Sequence, residues 1–562
     1  MSTDRRRPTP VDTLAEEILD AYAALDPEAA TLMGLAGHDH RLTDHSVTGI
    51  AERTALFRHG VRRLDALEPV DETDVVTADV LRERAEAEIA MAETGEHAAA
   101  LDVLGSPVQR IREVFDLMPT DDDADVAVVA ERLRAVPAAV QGYVSALRDS
   151  AAQGRVAARR QVLATAAQCD DNVGPDGFFV AMAARARTAV LAGGGDPLPA
   201  GLLDELDAAA LGASAAYAGL AQVMREELLA QAPETDAVGA ERYAVRLRYF
   251  LGADVDLRET YQWGVSEVER LVDEGTGIAR SLGAATIAEA VELLEDDPSR
   301  TIQGAEAFRD WMQATSDEAV QALAGSHFDI PEQVRTLDCR IAPSSTGVVY
   351  YTPPSEDLTR PGAMWWSVPK GMTSFGTWQQ RTTVYHEGVP GHHLQIAQTA
   401  LRSEQLNRYR RLGVWVSGHG EGWALYAENL MADLGFLDDP GDRLGLVVSQ
   451  LLRSARVVLD IGVHCGFEAP ARAGGGAWTY DRAWEYLTSV APEPEATLRF
   501  ELDRYLGHPG QAPSYKVGER TWLELREQAR ERDGDAFDLT AWHRRALDLG
   551  SVGLDTLRRA LA

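Results

Sequence analysis

A chain of 562 residues is too long for one simple core, and roughly 150 residues per domain would allow three or four. Apolar residues make up 45% and charged residues 25%, which is ordinary for a folded globular protein and excludes global disorder. Asp plus Glu outnumber Lys plus Arg by 88 to 54, for a formal net charge of -34; this argues against a nucleic-acid partner, which needs clustered Lys and Arg.

The N-terminus MSTDRRRPTP carries arginines with no apolar run behind them, so it reads as neither a secretory nor a twin-arginine signal. From 11 to about 324 the pattern is almost entirely helical. Ala, Leu, Glu and Arg recur at three- and four-residue intervals over 11–25, 75–94, 124–136, 202–231, 257–282 and 305–323. Pro137 is expected to end or kink its helix, and Asp121-Asp122-Asp123 suits the positive end of the same helix. Gly193-Gly194-Gly195-Asp196-Pro197 is the clearest loop. No stretch of about 18 apolar residues is present, so no membrane partner is expected. Cys169, Cys339 and Cys465 are odd in number and far apart, which suggests neither a disulfide framework nor a Cys-x-x-Cys metal site. Buried thiols in a reducing, cytoplasmic setting are the expectation.

Near Phe328 the composition changes. Segments 335–341, 347–351 and 364–368 have strand character and predict one small sheet just ahead of the histidine motif. An edge strand there could hold an extended peptide by backbone hydrogen bonds. The organisation read from this shift is a helical region over 1–330 and a metal-binding catalytic region over 331–562, with lobes that can interleave in space. Helices resume at Ile396-Ala397, 420–431, 443–463, 480–487, 494–505 and 519–532, interrupted by the Gly- and Pro-rich loop 507–516.

The densest chemistry lies in Tyr385-His386-Glu387-Gly388-Val389-Pro390-Gly391-His392-His393-Leu394-Gln395. A His-Glu pair followed by another histidine can place two neutral nitrogen ligands beside a general base. The usual spacing is His-Glu-x-x-His, where the two rings sit about 40° apart and roughly 6 Å along the axis. His386 and His393 would stand about 10.5 Å apart on a straight helix, and His392 would be rotated from His386 by about 120°. With zinc–nitrogen bonds of about 2.0–2.1 Å, neither pair works unless the helix breaks. Pro390 supplies the break, because its ring collides with the carbonyl of His386 and it has no N–H; Gly388 and Gly391 tolerate the turn. The expectation is a helix that stops and restarts between Glu387 and His392. His392 is favoured as second ligand, with His393 as the alternative.

Two histidines do not complete a site that keeps a position for water. Glu421, in Gly418-His419-Gly420-Glu421-Gly422-Trp423, is the candidate third ligand, and Glu428, two turns on along the same face, is its rival. Arg456, Asp460 and His464 share a helix face; Asp460 could orient a ligating histidine from behind, or the three could form a ladder along the helix. His38, His40, His45, His59, His97, His327 and His543 read as structural, and Lys516 as an exposed lysine.

HEGVPGHH, EGWALYAE, the run RSARVVLDIGVH and PGQAPSYKVG together resemble the bacterial family grouped as domain of unknown function 885, over most of the chain. That family is similar to a divergent branch of the zincin metallopeptidases, the mostly helical kind that includes thimet oligopeptidase and angiotensin-converting enzyme. The resemblance implies a mainly α, bilobed zincin-like body, with one small β-sheet next to the metal-binding helix and a deep channel. With the residues read above, the expectation is one zinc ion, or another divalent metal, held by His386, His392 and Glu421, with Glu428 and Asp460 as candidates to stand behind the ligands. Glu387 would act as general base, Tyr515 would donate to the developing oxyanion and His508 would assist. The function expected is a zinc-dependent hydrolase of short peptides or other small amides. A non-catalytic metal- or ligand-binding protein, or a non-hydrolytic metalloenzyme with the same His/His/Glu set, is the alternative.

Overall fold

The computed structural model describes residues 6–192, 197–342, 349–354 and 360–562. The expected loop at 193–196 and the start of the strand at 347–348 lie outside the described residues. Helices dominate, and their starts follow local chemistry. Thr9 forms a capping box with Asp12 ahead of Pro10–Leu25, and Asp122 caps Asp123–Ala152. Pro137 does not end that second helix but lies inside it. Leu133, Val136, Val140 and Tyr143 bury one stripe of the helix around the proline. Burial of that stripe outweighs the roughly 3 kcal/mol that an interior proline costs.

Two large apolar cores organise the helices. One is built within residues 101–228, from Asp123–Ala152, Arg159–Asp171, Phe178–Ala192 and Ala200–Val223. The other gathers Val11, Leu14 and Ile18 of the first helix with Tyr243, Leu247 and Leu251, and with Trp423, Tyr426, Trp522 and Trp542 of the C-terminal half. Both sides of residue 330 therefore contribute to the larger core. Through it runs Pro440–Cys465, buried on most of its surface, polar Gln450, Arg456, Asp460 and His464 included, between its N-terminal proline and the left-handed Gly466 that ends it. Among the described residues no helix is long and apolar enough to cross a membrane.

The strands form two small sheets where the sequence suggested one. β1 (Thr301–Gln303) pairs antiparallel with β5 (Ser374–Gly376). β2 (Leu337–Ile341), β3 (Val349–Thr352) and β4 (Gly362–Trp366) form the other in the order β2-β4-β3, with β2 parallel and β3 antiparallel to β4. Phe308 and Met312 from Ala305–Leu323 meet Leu337, Cys339, Met364 and Trp366 from the sheet, and Val384 from the helix Thr377–Glu387. That cluster seats the three-stranded sheet against the helix that carries His386.

Candidate metal centre

The helix Thr377–Glu387 stops at Gly388 and a new one, His392–Leu401, starts after Gly391. The four residues between them fold tightly, with a cis Val389–Pro390 peptide. The Gly391 N–H donates to the Tyr385 carbonyl at 3.1 Å, the His393 N–H to that of Gly388 at 3.1 Å, and the Trp423 indole N–H to that of Pro390 at 2.8 Å. Gly391 has no room for a side chain, since a Cβ would stand 1.9 Å from the His386 carbonyl oxygen. The break brings the rings of His386 and His392 to 4.8 Å, nearly perpendicular at 84°.

A third side chain closes on this pair from the helix Ser417–Asp433. Glu421 Oε2 lies 3.5 Å from His386 Nε2 and 3.6 Å from His392 Nε2, and one ligand atom from each of the three residues falls within 4.8 Å of the others. Four ligands at about 2.0–2.1 Å around a tetrahedral ion stand roughly 3.3–3.5 Å apart, so the first of these separations matches that geometry and the second exceeds it by about 0.1 Å. Two imidazoles and a carboxylate, with both Nε2 atoms turned to one oxygen, form a set compatible with binding a metal ion. His392 Nδ1 is buried without a hydrogen-bond partner among the described residues.

Glu428 stands behind His386. It is fully buried, its Oε1 lies 2.7 Å from His386 Nδ1, and its Oε2 accepts from the Thr382 hydroxyl at 2.6 Å. This fixes the histidine with Nδ1 protonated and Nε2 facing Glu421. Burial opposes protonation of His386, but Glu421 and Glu428 outweigh it and push the imidazole up to about 9. Glu421 itself is held well below the carboxylate range by the two histidines, against its burial. Any ion that binds here must displace the proton on His386. Glu387 is only 6% exposed; burial raises its pKa, while His392, His386 and Arg453 pull the other way.

His393 turns away from the trio. Its Nε2–H donates to the Val334 carbonyl at 2.7 Å, its Nδ1 lies 3.0 Å from the Tyr351 hydroxyl, and burial pulls it down to about 4. His419 is likewise packed inside, beside Gln395 and Trp522. Asp460 is not placed behind a ligating histidine. Its Oδ1 accepts from the Gly510 N–H at 2.9 Å and so anchors the 507–513 loop. The helix-face ladder does not form either, because Arg456 pairs with Glu501 at 2.9 Å and His464 lies 2.9 Å from the Tyr505 carbonyl. His508 lies 3.0 Å from Asp102 and packs on Gly105 and Phe250, partners from the N-terminal half. Lys516 is buried rather than exposed, because Gln450, Glu267 and Glu519 surround its ammonium.

Tyr515 opens the helix Ser514–Asp533, which packs along Ser417–Asp433 at a contact between glycines. A Cβ on Gly422 would stand 2.4 Å from the Gly518 carbonyl carbon, and one on Gly518 1.9 Å from the Gly418 oxygen. The Ser417 and Ser514 hydroxyls meet at 2.7 Å in the same contact. The Tyr515 ring lies 4.7 Å beneath the Arg456 guanidinium, and its hydroxyl accepts from Arg504 at 3.5 Å. Thr382 and Arg453, which lies 3.5 Å from Glu428, were not singled out from the sequence. Thr382 sits one turn ahead of His386, so its spacing was a usable signal; Arg453 had none beyond its place in the quoted motif.

The family model described as bacterial protein of unknown function (DUF885) matches residues 27–561. No curated protein matches the chain. Two solved structures share the fold over almost its whole length. One, from Colwellia psychrerythraea and described as a candidate lipoprotein, is 22% identical with a TM-score of 0.84 and 98% of each chain covered. The other, a candidate lipoprotein of unknown function from Shewanella oneidensis, is 16% identical with a TM-score of 0.71, covering 98% of this chain and 99% of that one.

Proposed function

The chain belongs to the DUF885 family, and within it we propose a zinc-dependent hydrolase that cleaves short peptides or other small amides. The observation that carries this reading is the convergence of His386, His392 and Glu421 from three helices, with Glu387 next in sequence to the first ligand. The likeness to thimet oligopeptidase and angiotensin-converting enzyme belongs to this proposal, as does a channel that admits only short chains.

Zinc, when held there, supplies a Lewis acid that polarises a carbonyl and makes water acidic near neutral pH. The chain's own residues would do the rest. Glu428 and Thr382 hold His386 in one tautomer, so that Nε2 is the ligating atom. Glu387, nearly enclosed and with a raised pKa, is suited to take a proton from water and return it to the leaving amine. Tyr515, held under Arg456 and by Arg504, is the candidate donor to the oxyanion. His508 is not carried into this mechanism, since its partner is Asp102.

The test is direct. The full chain, stripped with a chelator and reloaded, should take up one zinc and turn over a short-peptide library. Glu387→Gln should keep the zinc and lose at least about 100-fold in turnover. A protein that takes up no zinc, or a Glu387→Gln variant with full activity, would sink the reading. A cytoplasmic location is supported by the free cysteines Cys169, Cys339 and Cys465. The lipoprotein descriptions of the two structural neighbours favour the cell envelope instead, and fractionation of native cells decides between them.

A further inference from the structure

An extended run leads into the helix that carries Glu421. Val414 and Val416 are buried, and Val416 has φ -121° and ψ 114°. In extended backbone, alternate side chains point to opposite sides, so the residue between the valines turns away from the core. That residue is Trp415, which is 49% exposed, whereas Trp378, Trp423 and Trp522 are at most 2% exposed. Among the described residues it is the only tryptophan in the set of exposed large apolar side chains.

Its position is as unusual as its exposure. The indole centroid lies 5.8 Å from the His392 ring at 61°. The far edge of the indole covers Gly420 so closely that a Cβ there would stand 2.2 Å from Cη2. Gly420 immediately precedes Glu421. One side chain therefore touches both segments that bring His392 and Glu421 together, and still leaves half its surface uncovered. Two of the nearby carboxylates already have partners: Glu421 faces both histidines, and Glu428 is held by His386 and Thr382. What the indole offers an incoming molecule is a broad apolar surface.

We propose that Trp415 forms the wall of an apolar subsite, which takes the aromatic or branched aliphatic side chain of the substrate residue whose carbonyl is presented to His386, His392 and Glu421. This assignment rests on the metal-site reading above. It makes Trp415 a specificity-determining residue and the preferred substrates amides of large apolar amino acids.

Amino-acid hydroxamates test it without any need for turnover. The zinc-reloaded full chain is titrated calorimetrically with the hydroxamates of glycine, leucine, phenylalanine and lysine. Phenylalanine hydroxamate is expected to bind about tenfold tighter than glycine hydroxamate. In Trp415→Ala, compared with the wild type at matched zinc occupancy, that ratio should fall to about twofold, and Trp415→Phe should restore most of it. Equal binding of all four by the zinc-loaded wild type, tightest binding of lysine hydroxamate, or an undiminished ratio in Trp415→Ala would overturn the subsite and leave the metal site standing. A chain that takes up no zinc fails at the earlier reading, and the subsite falls with it.

Discussion

His386 Nδ1 and Glu428 Oε1 meet at 2.7 Å with both side chains buried, so the face of the imidazole turned from the trio is fully committed. Glu428→Gln keeps the shape but removes the negative charge that makes His386 a stronger ligand. Zinc affinity, measured by competition with a chromogenic chelator, should fall about 10–100-fold, with little change in the far-UV spectrum.

The two histidines after Gly391 should separate cleanly under mutation. His392→Ala should abolish stoichiometric zinc uptake. His393→Ala should keep it, but lose about 1–3 kcal/mol of stability, because the Val334 carbonyl and the Tyr351 hydroxyl lose their buried partner. Metal analysis and urea unfolding of the two variants check this pair of outcomes.

Gly391→Ala tests the break itself. The added Cβ would stand 1.9 Å from one backbone oxygen and 2.4 Å from another, neither of which can rotate away. A loss of about 2–4 kcal/mol is expected, along with reduced zinc uptake as His392 is pushed from His386. Unchanged thermal unfolding in this variant would contradict the tight turn.

Asp460 should make stability depend on pH. Burial pushes its carboxyl up to about 7, against the Gly510 N–H, Tyr243, Arg246 and Arg504, which favour the charged form. An unfolded Asp ionises near about 3.9, so between that value and about 7 the folded chain holds a proton that the unfolded chain has released. The contribution is fully present below the unfolded value and is lost as pH rises through about 7. Glu493, also pushed up to about 7 by burial, acts in the same sense. Asp460→Asn should flatten, without abolishing, the decline in unfolding free energy across this window.

Much of this fold could be read locally. The helix Ala305–Leu323 was expected over the same residues, because its apolar stripe and the glycine before it are both in the sequence. The break at Pro390 was also legible, since the proline clash and the distance between histidines leave no other route to a shared ion. The pairing of β1 with β5 was not, because two three-residue strands some 70 positions apart carry no local signal. The same limit applied to His508 and Asp460, whose partners, Asp102 and Gly510, are set by packing between distant segments. Pro137 does not end its helix for a different reason, because the apolar residues on either side of it are buried together in one core. In the candidate metal centre, the two histidines and the glutamate could be proposed from spacing, whereas the orientation of His393 depends on Val334 and Tyr351, which only the folded chain brings to it.

The glycine contact between Ser417–Asp433 and Ser514–Asp533 sets a mechanical limit. Where Gly418, Gly422 and Gly518 meet, main chain rests on main chain, and no side chain there can change rotamer to let the helices slide. Glu421 and Tyr515 thus ride on two helices whose spacing is set by main chain, and a side chain added at Gly422 or Gly518 would have to push them apart.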